Sequence, residues 1–480
     1  MQVVSDPQLL RLGTMALAAI AERHVPVPTY NRSSLVPRIV HIGVGGFHRA
    51  HMALYTHELA ERGDDWGIAG VGLMAHDHAI EHVLRKQDYL YALSEKGNGE
   101  PSPQIIGSII SFTLAADGDN EFVDLIASAT TCIVSLTITE AGYFELTDED
   151  RADGSRTTLD RLALALDARR SRGAGPLTIL SCDNLPGNGS VARQAMLAAA
   201  ARISDDLVSW VTACCTFPNS MVDRITPATA ESDKAWLREQ RGIDDHWPVV
   251  AEPFRQWVIE DDFAAGRPRW EDVGALFTDR VHDWELYKLR ILNAGHSCIA
   301  YLCALAGITY VDEAMSTPVV HAYLSDLLYA ESVPTLSEIA GHPREEYVAS
   351  VLERFANTGV RDQISRLCEN GTAKFPTFLL PTIVDNLATG GSIMRGTTAL
   401  AGWARYLAVV PYEQQSDDVS AERSRTYALQ AQTNPAAFID NPGVFPDELR
   451  DSTRFRDAFS SAYETIATNG PLAAMSVAKQ

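Results

Sequence analysis

The sequence predicts an α/β protein: a doubly wound parallel sheet in the N-terminal part, then a mostly α-helical C-terminal part. Three observations carry this. Short apolar, β-rich runs alternate with helix-patterned segments over the N-terminal half. From Trp284 onward strand-like runs become scarce while amphipathic helical patterns continue. The first convincing strand runs straight into a glycine-rich turn that opens a helix, the context that makes such a turn meaningful.

The β-rich runs are "RIVHIGVG", "GIAGVGLM", "TCIVSLTIT" and "LTILSCDN", with "PVVAEPF" later. "RAHMALYTHELAER" and "SVARQAMLAAAARI" read as helices between them. "WELYKLRILNAGHSCIAYLCALAG" reads as one long helix ending at Gly307, a C-terminal cap. "REEYVASVLERFANTG", "GTTALAGWARYLAVV" and "FRDAFSSAYETIATNG" follow as further helices. The expected domains are therefore residues 1–280 and 281–480. The acidic stretch "EQQSDDVSAERS" reads as a solvated loop or helix end, and no internal repeat or low-complexity segment stands out.

Composition narrows the function. The chain has 480 residues, 46% hydrophobic and 21% charged, which is ordinary for a globular protein. A net charge of −22 argues against nucleic acid and anionic membranes as partners. The longest apolar runs, such as "MALAAIA", fall far short of a transmembrane span. The N-terminus lacks the basic start and clean apolar block of a signal peptide and reads as a short amphipathic helix. Seven cysteines, an odd count without a Cys-x-x-Cys, read as buried free thiols in a reducing, cytoplasmic setting. They offer no closely spaced zinc ligands, so no metal site is expected.

In "IGVGGFHRAH", Gly43 and Gly45 permit a tight turn and close approach of backbone to a pyrophosphate at a helix N-terminus. His48 stands where the third glycine of the dinucleotide fingerprint belongs, and a bare Gly-x-Gly equally suits an ordinary strand-to-helix turn. Asp77, just past the second strand, is placed to accept hydrogen bonds from an adenosine ribose and to repel a 2′-phosphate, favouring NAD over NADP. It reads equally well as a helix N-cap.

The helix around "YKLRILNAGHS" raises the chemical question. At 100° per residue, His296 lies about 80° from Lys288, Asn293 about 140° and Glu285 about 60°. These polar groups fit one broad face of a helix otherwise lined by Leu289 and Leu292, and need each other, water or a substrate. A desolvated lysine is a competent base for an alcohol proton. An asparagine amide can hold a developing alkoxide. Asn184 in "LTILSCDNLPGNG" sits just past a strand end, where doubly wound sheets bind ligands, and Asp223 in "FPNSMVDRI" follows another strand or loop. Both also fit as turn residues.

Together "IGVGGFHRAH", "SLTITEAGY", "SCDNLPGNG", "FPNSMVDRITP", "EPFRQWVIED" and "KLRILNAGH", extended by "TAKFPTF" and "ALAGWARYL", resemble the mannitol dehydrogenase family over nearly the whole chain. These are long-chain, metal-independent polyol dehydrogenases. The resemblance implies a Rossmann-type N-terminal domain, a helical C-terminal domain and an active site between them. It implies Lys288 as general base, Asn184 and Asn293 as an oxyanion hole, His296 as substrate anchor and Glu285 as a proton-exchange group. Asp223, Arg366 and Lys374 match positions near the polyol. Gly43, Gly45, Gly46, Phe47, His48, Arg49 and Asp77 match the NAD contacts. Some members carry an acidic pair where this chain has His76 and Asp77, which weakens discrimination against NADP. The motifs are most like the mannitol 2-dehydrogenase branch, interconverting D-mannitol and D-fructose, with fructuronate reduction to D-mannonate or D-arabinitol 4-oxidation as alternatives. The resemblance also implies a monomer.

Overall fold

The computed structural model describes residues 9–115, 119–143, 156–418 and 421–478. Two compact units make up the chain, Met1–His282 and Asp283–Gln480.

The first unit is built on a parallel sheet of six strands: β1 (Val36–Ile42), β2 (Trp66–Gly72), β3 (Ile109–Leu114), β4 (Ile133–Leu136), β5 (Leu177–Ser181) and β6 (Cys215–Thr216). Their spatial order is β3-β2-β1-β4-β5-β6. This is the order of a dinucleotide-binding sheet, with its switch point between β1 and β4. The inner runs are mostly apolar because helices cover both faces. Alternation along β1 sends Ile39 into one core cluster and Val40 and Ile42 into the other. Local signals set the helix ends. Thr157 and Asp160 form a capping box before Thr158–Arg172, and Gly173 closes that helix at φ 65°.

"PVVAEPF" does form a strand, Val249–Ala251, but it lies outside the main sheet. It pairs with Tyr91–Glu95, itself antiparallel to Ser102–Ile106. Ser220–Asp223 pairs with Gln256–Ile259 in a third sheet, so Asp223 ends a strand and is buried. The N-terminal helix is only Leu17–Ala21.

The second unit is helical; among its described residues the only β-pairings are two isolated bridges. Helices Met394–Val409 and Thr453–Asn469 pack against each other around Trp403, Phe438, Phe459 and Tyr463. Buried Glu331 accepts the Arg395 and Gly396 amides at the start of Met394–Val409, where a carboxylate favours the helix dipole. Val419 and Ser420 of "EQQSDDVSAERS" lie outside the described residues; the stretch otherwise runs from a short 3-10 turn into the helix Ala421–Ala431.

The expected single α-helix from Trp284 to Gly307 needs correction. Val281–Tyr287 and Ala294–Leu305 are α-helical, but Lys288–Asn293 is a π-helix. Hydrophobic spacing over six residues cannot separate the two forms. Gly307 does follow the helix end, at φ 76°. Among the cysteines, Cys132 and Cys214 are only partly buried; the other five are buried, and all seven are free thiols. Among the described residues no helix is long and apolar enough to cross a membrane.

Candidate active site

The turn after β1 is shaped by its first glycine. Gly43 has φ +94°, and a Cβ there would lie 2.2 Å from the Thr137 carbonyl oxygen. Only glycine fits, because both the left-handed backbone and the neighbouring carbonyl exclude a side chain. The Gly43 carbonyl accepts the Gly45 amide and the Thr137 hydroxyl, both at 2.7 Å. His41, on the strand below, bridges Ser135, Thr137 and the Gly43 carbonyl. The short helix Gly46–Ala50 then begins, with Gly45 as its N-cap.

The side chains of this helix are committed inward. His48 stacks on His41 with ring centroids 3.3 Å apart. Arg49 donates to the Trp247 and Gly45 carbonyls and lies over the Tyr91 ring. Phe47 stacks on His51. What the turn offers a ligand is therefore backbone, which is the chemistry a pyrophosphate requires. Asp77 begins the helix after β2; its carboxylate accepts the Met74 amide at 2.8 Å and stands 3.6 Å from His76. It braces its own loop at the carboxyl end of the sheet, and its Cβ is where a side chain on Gly72 would fall.

Asn184 is exposed, one residue past buried Asp183. Asp183 escaped the sequence reading. Its carboxylate accepts the Ile138 and Thr139 amides and the Tyr143 hydroxyl, tying the end of β5 to the loop after β4. Burial pushes its carboxyl up, opposed by Tyr143 and the two amides. An acid at a strand end, inside a conspicuous "CDN", was the available signal.

In the second unit, Glu285 and Lys288 are buried, Lys288 at 8% exposure. His296 stacks on Phe355, with ring centroids 3.9 Å apart and planes within 6°. Arg366 grips Asp362 with both Nε and Nη2, and Lys374 donates to the Leu367 carbonyl. Asp362, Arg366, Arg354 and Lys374 all act electrostatically on His296, so the fold brings His296, Arg366 and Lys374 into one neighbourhood. Burial, then Arg366, holds the Lys374 amine below its ordinary value. Burial would raise Asp362, but Arg366 overrides it and keeps the carboxyl low. Phe355 left no local trace in the sequence as a site residue; for Asp362 the i, i+4 spacing to Arg366 was the one available signal. Asn293 Oδ1 and His296 Nε2 are buried with no hydrogen-bond partner among the described residues. Buried polar atoms seek partners, so these point to a polar ligand. Among the described residues no cluster of three or more His, Cys, Asp or Glu is arranged to hold a metal.

Sequence comparison decides the family. The mannitol dehydrogenase Rossmann-domain model matches residues 37–272, and the mannitol dehydrogenase C-terminal-domain model matches residues 280–467. The chain belongs to the mannitol dehydrogenase family. It is 40% identical to mannitol 2-dehydrogenase of Aspergillus terreus, covering 97% of this chain and 98% of that one. Among solved structures it is similar to mannitol 2-dehydrogenase of Pseudomonas fluorescens in ternary complex with NAD and D-mannitol: TM-score 0.89, 37% identity, 97% and 99% of the two chains covered. It is also similar to a D-sorbitol dehydrogenase in substrate-free form: TM-score 0.86, 31% identity, 97% and 100% covered.

The buried histidines carry a pH consequence. Burial holds His41, His51 and His296 down to about 3. Unfolded, each protonates near 6.5. The unfolded chain therefore binds more protons below that value, and stability falls as pH drops from about 6.5 toward 3. Thermal melts from pH 7.5 to 4.5 are expected to show a progressive fall in Tm beginning near pH 6.5. A flat Tm down to pH 5 would contradict neutral burial.

Proposed function

We propose that the protein is an NAD-dependent, metal-independent polyol dehydrogenase that interconverts D-mannitol and D-fructose. The observation that carries this is the pair of unpartnered buried atoms, Asn293 Oδ1 and His296 Nε2, on the helix that bears buried Lys288 in a chain of this family. NAD supplies the hydride acceptor when bound. The turn at Gly43, Gly45, Gly46 and Phe47 suits its pyrophosphate, since Gly43 leaves room for backbone alone. His48 and Arg49 hold that turn from behind, and Asp77 serves the adenosine ribose and disfavours a 2′-phosphate.

In oxidation, Lys288 takes the hydroxyl proton while the carbinol hydrogen departs as hydride; in reduction it returns the proton. Asn293 and Asn184 donate to the oxygen as its charge grows. His296 anchors a neighbouring hydroxyl, and Asp223, Arg366 and Lys374 bind the rest of the polyol. Glu285, one helical turn before Lys288, exchanges the proton with solvent. Free thiols support a reducing cytoplasmic setting, and the working form is a monomer.

A substrate panel tests the reading. D-Mannitol is expected to yield NADH faster than D-arabinitol or D-sorbitol, and NADP to serve less well than NAD. Fructose is expected to oxidise NADH in preference to fructuronate. Absence of NADH from every polyol would remove the reading, and fructuronate preference would move it to the D-mannonate branch.

A further inference from the structure

The helix that carries Lys288 widens at that residue. Its π segment, Lys288–Asn293, begins at the lysine and ends at the asparagine. The Ala294 amide donates back to the Leu289 carbonyl, five residues away. A turn closed five residues apart holds one residue more than an α turn. Residues beyond it are thus set back by about 100°, one residue's rotation. On an unbroken α-helix Asn293 stands about 140° and His296 about 80° round from Lys288. After the π turn these offsets become about 40° and, on the other side, about 20°. The lysine, the amide and the imidazole then share a single stripe.

Isolated chains prefer the α form, so something must hold the wide turn. Arg290 lies two residues past Lys288 and leaves the helix on roughly the opposite side. Its side chain is 12% exposed, and its guanidinium donates to the Asp385 carboxylate at 2.5 Å and to the Thr335 carbonyl at 3.2 Å. Asp385 belongs to the helix Leu380–Thr389. Thr335 ends the 3-10 turn Val333–Thr335, directly after a second π-helix, Leu328–Ser332. The middle of the wide turn is therefore tied to two separate elements.

We propose that Arg290 is a positioning residue whose tie to Asp385 and Thr335 holds the π turn that aligns Lys288, Asn293 and His296. The proposal rests on the assignment of Lys288 as base. Its test uses the full-length protein carrying Arg290→Met, Arg290→Lys or Asp385→Ala. Readouts are kcat per folded molecule, the pH profile of kcat with D-mannitol, and NADH affinity by fluorescence. Arg290→Met is expected to lower kcat about tenfold to a hundredfold, the scale for an ångström of misplacement. It should displace the acid limb of the pH profile and leave NADH affinity within about twofold. Arg290→Lys, which keeps the charge toward Asp385, should recover most of kcat. Asp385→Ala, at a half-exposed position, should move kcat and the acid limb the same way by less, and it carries the test should Arg290→Met not fold. Unchanged kcat and acid limb in these variants, with Lys288→Ala inactive, would overturn the proposal and leave the base assignment intact. A fully active Lys288→Ala would remove the base assignment itself.

Discussion

Lys288→Ala is expected to lower kcat for D-mannitol oxidation about 10²–10⁴-fold at neutral pH, the usual contribution of a positioned general base. NAD binding should stay within about twofold, because the glycine turn belongs to the other unit. The helix should survive, since alanine is the strongest helix former and removes a buried amine at 8% exposure. Initial rates with saturating NAD, beside a thermal melt, separate lost chemistry from lost fold. Small amines added to the alanine variant should restore part of the rate, as expected when only the proton acceptor is missing. Full turnover without rescue would mean that the alcohol proton leaves by another route.

Gly43→Ala is expected to damage both stability and cofactor binding. The left-handed backbone at φ +94° costs a residue with a side chain roughly 1–3 kcal/mol. The new methyl would also meet the Thr137 carbonyl at 2.2 Å, and that oxygen belongs to the backbone just past β4. Relief means moving the turn off β4 and breaking the Thr137 and His41 contacts to the Gly43 carbonyl. NAD affinity should fall at least about tenfold, with a lower Tm. Gly45→Ala provides the contrast. Gly45 has φ −91°, and its nearest neighbour to a Cβ is 3.9 Å away. It should melt like the parent yet still lose NAD affinity, because the methyl stands where backbone must approach the pyrophosphate. Equal NAD affinity in both variants and the parent would place the cofactor elsewhere.

Much of this was legible in the sequence because it depends on local patterns. "RIVHIG", "GIAGVG", "CIVSL" and "LTILS" are mostly apolar runs without strict alternation, the mark of strands covered on both faces. Gly43 was legible because a tight strand-to-helix turn demands a residue without a side chain. Lys288, Asn293 and His296 stood out because amine, amide and imidazole are costly to bury without purpose. The strand Val249–Ala251 was legible as a strand but not as part of a side sheet. Pairing partners are set by distant register, and the run itself does not encode them.

The sequence by itself thus determined the parallel sheet, the glycine turn and the helical second half, and singled out the residues of the candidate site. Only the tertiary structure decided how those residues are used. His48 and Arg49 turn inward because His41, Tyr91 and the Trp247 carbonyl lie beneath the turn. His296 is held by Phe355, fifty-nine positions away in the chain, and Arg366 by Asp362. The wide turn between Lys288 and Asn293 has no period of its own in six residues; anchors at Thr335 and Asp385 meet it only once the chain has folded. Periodicity reports which face of an element is covered. Which groups face one another depends on contacts between segments far apart in sequence, and those the packing alone selects.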